Sequence, residues 1–553
     1  VHGVRDNAIF RLDAGAGATV AEAFRDAGWQ TAAFVSSFPL MSRFGLDRGF
    51  SRYDDLLLGS DAATGHFRER SAAGTVTAVE SWLAGSAEAP GGSAPPDPAA
   101  PLFLWVHFFD PHAEYDAPAP WSRLPWPGDR FESGYAAEVA YTDRELGRLL
   151  ARLDERRGGR PRGVCVVSDH GEGLGDHGER THGVLLNVST VRVPVVVRGP
   201  EASPGLRVAP VPLAAVPATL LGLADLASDL DPGAAPPLAR WSGPVHSETL
   251  YPFFNFGWAG QRRREDGEWR LVAGPVDRLY HAVTDPGEQR DVAAEHPEVV
   301  AELRHGLEEE WERRRAAAFE PEPRTLTDEE VEALRSIGYL AGGAGHGDPE
   351  PAFDEGDDPV TRVALVDRIN EAITLLEDDP ARCLDVMRTV LADDPRNRLA
   401  LQYSGRAFLR LQRPERARRA LERALSVGRN PPGVYLDLAA ALRALGRREG
   451  QWEALQGAIE ADPFSVPARH ELAELLIQDG RYAEALPLLE EALEIRPRAA
   501  RTHFQLAIVY EQLDRREEAR QRWERVLELR GDDAVAERAR RALAAYGSEE
   551  ADE

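Results

Sequence analysis

Apolar and polar positions follow two different rhythms along this chain, and the change falls near residue 340. Upstream of it, short apolar runs alternate with longer mixed stretches. "TAAFVSS" (31–37), "LFLWVHFF" (102–109), "GVCVVS" (163–168) and "VPVVVRG" (193–199) are too short for helices and rich in Val and aromatic residues, so they predict buried strands. "TVAEAFRDAG" (19–28) and "YAAEVAYTDRELGRLLARLDE" (135–155) repeat apolar residues at helical spacing and predict amphipathic helices. Strands alternating with helices predict an α/β fold, a sheet covered by helices on both faces. "GSAEAPGGSAPPDPAAP" (85–101) has nothing to pack and predicts a surface insertion.

"GAGHGDPEPAFDEGDDP" (343–359) is rich in Gly, Pro and acid and predicts a solvated linker. Beyond it the pattern is wholly helical and repeats. Pro463 and Pro497 are 34 apart, as are Ala485 and Ala519, and Leu472/Ala473 recur as Leu506/Ala507. This period resembles tetratricopeptide repeats, an all-α solenoid. About five repeats fit between 364 and 531, with "AVAERARRALAAYG" as a capping helix. Cys383 takes the small-residue position of the first repeat, and Gln451 makes the third the least regular. The expected domains are therefore 1–342, a linker 343–360, and the array 361–547. The repeat frame puts Gln402, Arg406, Arg410, Arg443, His470, Glu474, Gln478 and Glu511 on the concave face, with arginines toward its start and acids toward its end. That polarity suits an extended protein or peptide partner. Because each repeat contacts chiefly its neighbours, the array is expected to fold by itself from about residue 360.

Composition narrows the possibilities. The net charge of −27 repels phosphate backbones and argues against a nucleic-acid partner. No apolar run approaches the length of a membrane span. The two cysteines, Cys165 and Cys383, make neither a disulfide framework nor a cysteine zinc site. Cys165 lies in an apolar run and reads as packing. The sequence contains no lysine, so no chemistry can use a lysine amine.

Three of the 14 histidines crowd into one short stretch: "VVSDHGEGLGDHGERTHG" carries His170, His177 and His182. Asp169 and His170 fall where a strand should end, which is where α/β sheets keep their sites. Neighbouring strand residues point to opposite faces, so the chain must turn there for both to meet one ion, and Gly171 and Gly173 permit a turn. A carboxylate and an imidazole can bind a divalent cation, but two ligands are too few. His107, within a strand, could equally be a site residue or a hydrogen-bonded core histidine and is left out of the site, His177 is open, and Asp110 reads as the cap of its own turn at Pro111.

"SDHGEGLGDHGE", "THG" and "RVPVVVRGP" resemble the sulfatase family of the alkaline-phosphatase superfamily. "HGVRDN" (2–7), "GWQTAAFVSS" (28–37), "RFGLDRGFSRYDD" (43–55), "FLWVHFFDPHAEYDAP" (103–118), "RLYHAVTDPGEQRDVA" (278–293) and "ALRSIGYLAG" (333–342) agree, in order. The likeness is greatest to bacterial sulfatase-type hydrolases with a C-terminal tetratricopeptide array. The resemblance implies a metal-dependent sulfuric ester hydrolase, with a phosphodiester or phosphonate hydrolase as the alternative and a non-catalytic scaffold as a third reading. It implies Asp169 and His170 as ligands of one divalent cation, calcium first and manganese or zinc next. It implies His182 as the basic group on the sulfate, His112 as the histidine that protonates or orients the leaving oxygen, and Asn7 as a substrate-side polar residue. The family's Cys/Ser-x-Pro-x-Arg nucleophile motif and a strand with two further acids are expected upstream of Val1, which would leave this chain inactive. "AFVSS" stands where many arylsulfatases carry Gly-Lys-x-His.

Overall fold

The computed structural model describes residues 10–11, 17–57, 69–85, 95–113, 115–157, 163–199, 204–226, 237–317, 322–323, 353–427, 432–463, 465–495, 499–530 and 534–549. Two-residue strands, β1 (Phe10–Arg11) and β11 (Glu322–Pro323), pair with each other. Helix α1 (Val20–Asp26) begins at Thr19, whose hydroxyl accepts from the Glu22 N–H while the Glu22 carboxylate accepts from the Thr19 N–H. It leads into β2 (Gln30–Phe34), which pairs in parallel with β3 (Arg52–Asp54) on one side and β4 (Leu102–Val106) on the other.

Alternation along these strands sorts their side chains between two layers. Phe34, Leu102, Leu104 and Val106 pack under α2 (Ala72–Ala84) and α3 (Arg130–Arg157) with Val76, Val79 and Trp82. Phe103 faces the other way, 4.3 Å from the ring of Phe24 on α1. The predicted helix-covered sheet is present.

The runs at 163–168 and 193–199 form β5 (Val164–Val167) and β6 (Val195–Arg198), but they are not buried as expected. They pair antiparallel with each other and with no other described strand, which leaves Val167 40% and Val196 58% exposed. An unbroken valine run carries no alternation to reveal which face lacks cover. Cys165 is correspondingly half-buried rather than core.

After the short helices α4 (Val188–Val191) and α5 (Val216–Leu223) comes a sheet the sequence did not announce. Strands β7 (Val245–Thr249), β8 (Gln261–Asp266), β9 (Trp269–Ala273) and β10 (Arg278–His281) are antiparallel in the order β10-β9-β8-β7, with α6 (Tyr251–Phe256) between β7 and β8. Leu271 and Leu279 pack against Leu303 and Leu307 of α7 (Pro297–Ala317).

The repeat frame holds to the residue. After α8 (Pro359–Arg362), helix starts fall at Ala364, Arg398, Pro432, Val466, Ala500 and Ala534, each 34 after the last. These open five helix pairs and the cap: α9 (Ala364–Thr374) with α10 (Pro380–Asp393), α11 (Arg398–Arg410) with α12 (Pro414–Leu425), α13 (Pro432–Ala444) with α14 (Arg448–Ala461), α15 (Val466–Gln478) with α16 (Tyr482–Ile495), α17 (Ala500–Gln512) with α18 (Arg516–Arg530), and α19 (Ala534–Glu549). Cys383 is fully buried, as a small packing residue should be.

Two expectations about the junction fail. The supposed solvated linker is fastened at two of its residues: Phe353 is 6% exposed against Trp311, and Asp358, 9% exposed, pairs with Arg278 at 2.6 Å. Asp358 leaves water because Arg278, on β10, meets it, while Asp354 pairs with Arg304 of α7 and stays half exposed. The first repeat is also not self-contained, because its core includes Val184, Leu185, Phe256 and Trp258 from before the linker.

Candidate functional site

Two strand ends supply the site. Where β4 stops, the His107 N–H bonds the Phe34 carbonyl at 2.9 Å and the chain turns away. Glu138 on α3, 3% exposed, accepts the N–H groups of His112 (3.0 Å) and Asp116 (2.6 Å) and so fastens the loop carrying His112. Burial pushes Glu138 up to about 7 despite these bonds. Asp110 does not cap its own turn; its carboxylate accepts from the Ala72 N–H at 2.6 Å, at the start of α2.

Where β5 stops, Asp169 and His170 follow, and the chain folds back on itself. N–H groups of Gly173, Leu174 and Gly175 bond the carbonyls of Thr181, Arg180 and Glu179 at 2.8–3.0 Å. This return lays His182 on His170, with ring centroids 3.9 Å apart and planes at 27°. His112 stands 5.6 Å from His182, edge to face. Three of the predicted residues thus meet at one place, from two separate segments.

Their hydrogen bonds decide which ring atoms are available. A carbonyl can only accept, so His170 donates from Nδ1 to the Gly171 carbonyl (2.9 Å) and His112 from Nδ1 to the Ala113 carbonyl (2.6 Å). The opposite nitrogen, Nε2, then carries a lone pair in each neutral ring. Burial, then the neighbouring His182, pulls His112 down to about 4, so at neutral pH it is an acceptor at Nε2 and not a proton donor.

Asp169 is 82% exposed, with Oδ2 3.8 Å from His170 Nε2. A carboxylate and an imidazole nitrogen with its proton fixed on the far side is the arrangement a divalent cation uses. Among the described residues no group of three or more such donors converges. Asp169 and His170 therefore fit as two ligands of an incomplete set. Asn7 lies outside the described residues.

Sequence reasoning missed Glu172. Its side chain is 5% exposed and faces His182 Nδ1 at 3.3 Å, leaving His182 Nε2 for a ligand. Burial works to raise its carboxyl, but the bond to His182 and that ring's charge hold it below the usual carboxylate range. The buried Tyr115 hydroxyl lies beside it without a hydrogen bond of ordinary geometry. The signal was available: an acid two residues past a strand-end histidine, on a return that brings a second histidine back. Glu172→Gln should let His182 exchange its proton between the two ring nitrogens. Nitrogen chemical shifts of the ring would show this, and a ring still protonated only at Nδ1 would contradict it.

Two further histidines of these segments hold the backbone. His107 Nδ1 donates to the Ser36 hydroxyl at 3.0 Å, because that hydroxyl's own proton goes to the His107 carbonyl at 2.7 Å. His177, in a left-handed conformation, donates to the Gly287 carbonyl at 3.2 Å.

On the array, the predicted charged face is largely occupied by its own neighbours. Gln402 (2.8 Å) and Arg406 (2.7 Å) both bond Asp437, Arg410 pairs with Glu377, and Arg443 lies 3.6 Å from Glu471. His470 bonds Thr502 at 2.7 Å, Glu474 pairs with Arg501 at 2.9 Å, and Glu511 accepts from Trp523 and Tyr546. Gln478 stays exposed. The expected run of charge is thus mostly cancelled between adjacent repeats.

Residues 13–226 match the sulfatase family, and residues 466–532 match the tetratricopeptide repeat. His112, Asp169, His170 and His182 all fall inside the first match. Iduronate 2-sulfatase of Mus musculus is 36% identical over 85 residues, which is 15% of this chain and 14% of that relative's length. The solved structure of YrrB, described as a TPR protein with an unusual peptide-binding site, is 22% identical, with a TM-score of 0.29, over 32% of this chain and 92% of that one. MamA from Desulfovibrio magneticus RS-1 is 18% identical, with a TM-score of 0.28, over 31% and 97% respectively.

Proposed function

We propose that the sulfatase-family domain at residues 13–226 is built to hydrolyse a sulfate ester in the presence of one divalent cation, with the helical array serving as its protein-interaction module. The observation that carries this reading is the meeting of His112, His170 and His182 beside Asp169. A tetrahedral anion needs a hydrogen-bond donor and a cation beside it; His182 would face its oxygen, and Asp169 with His170 would hold the cation.

Asp169 and His170 Nε2 would hold the cation, calcium first, which would supply Lewis-acid polarisation of the ester. His182, held by Glu172 at Nδ1, would face an anionic oxygen of the ester through Nε2. His112 Nε2, bare at neutral pH, would accept a proton from the attacking or incoming hydroxyl, or orient that group. A phosphate ester would satisfy the same groups and is the second reading. With its charges paired internally, the array's partner is better sought as a peptide that binds by shape and main-chain contacts than as a charged strand.

The Cys/Ser-x-Pro-x-Arg pattern occurs only at Ser465–Arg469, and there the Ser465 hydroxyl caps α15 and the residue is 4% exposed. The chain should therefore bind a divalent cation weakly and show only background turnover of nitrophenyl sulfate. Equilibrium dialysis against calcium and manganese tests the first part. Loss of binding in Asp169→Ala/His170→Ala is expected, and unchanged binding would refute the ligand assignment.

A further inference from the structure

The chain just after His182 lies between two parts of the protein. On its main-chain side it is fixed to the hydrolase domain. The N–H groups of Val184 and Leu185 donate to the buried carboxylate of Glu179 at 2.7 and 3.0 Å, and the Leu186 N–H donates to Gln261 at 3.1 Å. On its side-chain side it is fixed to the array. Val184 (1% exposed) and Leu185 (3%) enter one core with Ile369 and Met387, both fully buried, of the first repeat.

A polar seam closes the same contact. Trp258, 1% exposed and 4.4 Å from the ring of Phe256, donates from Nε1 to Asp394 at 2.9 Å. Asp394, 1% exposed at the end of α10, also accepts from Asn397 at 3.0 Å. Arg398, the first residue of α11, is buried and donates to the Phe254 carbonyl. A module merely tethered to its neighbour meets it through wet, polar contacts. Here a tryptophan, a carboxylate and an arginine are buried in a continuous apolar core.

We propose that the first tetratricopeptide repeat, with the opening helix of the second, positions His182, so that α9, α10 and α11 form the back wall of the hydrolase site. His182 sits two residues from Val184, and close-packed cores transmit displacement because they have no slack. A partner that shifts the first repeat therefore reaches the site through Val184 and Leu185. The proposal takes from the functional reading only that His182 belongs to the site. Its test reads position and not turnover, so either can fail alone.

The test is hydrogen exchange by mass spectrometry on the full chain. Ile369→Ala opens a cavity on the array side of the shared core. Amides 183–186 should then exchange at least about tenfold faster, since local opening sets their protection. Leu489→Ala, an equal cut in α16 of the fourth repeat, should leave them at the wild-type rate. Faster exchange confined to the first repeat, with 183–186 unchanged, would overturn the proposal. Should Ile369→Ala fail to fold, Trp258→Phe removes the bond to Asp394 while keeping an aromatic ring. It should shift the His182 ring signals in proton–carbon spectra and leave those of His281, on β10, in place; unmoved His182 signals would equally overturn the proposal.

Discussion

Glu288→Ala should cost the hydrolase domain about 3–5 kcal/mol of stability, because it strands buried positive charge. Glu288 is 1% exposed and accepts two bonds from Arg263, at 2.6 and 3.0 Å, and a longer one from Arg270 at 3.3 Å. Arg263 is itself 2% exposed. Without the carboxylate its guanidinium has neither water nor a full counter-charge. The same pair anchors the segment beyond His182: Arg263 donates to the Leu186 carbonyl at 3.0 Å, and Glu288 accepts from the Val188 N–H at 2.9 Å. Glu288→Gln keeps the shape and some bonds and should lose less. Denaturant unfolding followed by tryptophan fluorescence would measure both, and a loss below about 1 kcal/mol for Glu288→Ala, the range of an exposed pair, would show that this pair is not sealed from water.

That network also shows where the sequence stops being readable. The array could be read because its signal is local: small residues, prolines and apolar positions recur at one spacing, and helix starts follow that spacing residue for residue. The histidine site could be read because chemically distinctive residues crowd a glycine-rich stretch. The antiparallel sheet could not. "QRRRED" looks like a surface turn, and its burial depends on Glu288, 25 residues further on, which nothing nearby announces. The charged face of the array failed for the same reason. The frame placed Gln402 and Arg406 on one side correctly, yet Asp437, which neutralises them, belongs to the next repeat. Asp358 looked solvated like the acids before it, and only the folded position of Arg278 removes it from water. Pairing between distant charges is a property of the fold, and composition records only that both signs are present.

The glycines after His170 were read correctly as necessary and for the wrong reason, and this leads to a sharper expectation. Neither Gly171 nor Gly173 adopts the left-handed conformation that favours glycine; what they need is the absence of a side chain. A Cβ on Gly173 would stand 2.3 Å from the Glu179 carbonyl oxygen and 2.6 Å from that of Thr181. Both are main-chain atoms of the return that carries His182, so they cannot yield as a flexible side chain would. Gly173→Ala should therefore push that return away, break the 2.8 Å bond from its own N–H to Thr181, and separate the stacked rings of His170 and His182. A loss of about 3 kcal/mol, the upper end for an overfilled site, is expected in thermal unfolding. Gly175→Ala is the informative contrast. Gly175 has φ +94 with nothing near its missing Cβ, so alanine there meets conformational strain but no clash, worth about 1 kcal/mol. If crowding governs the turn, the first replacement costs more than the second and alone weakens cation binding at Asp169 and His170. If the two cost the same, or Gly175→Ala costs more, the return is set by backbone conformation, and the stacking of His182 on His170 needs another cause.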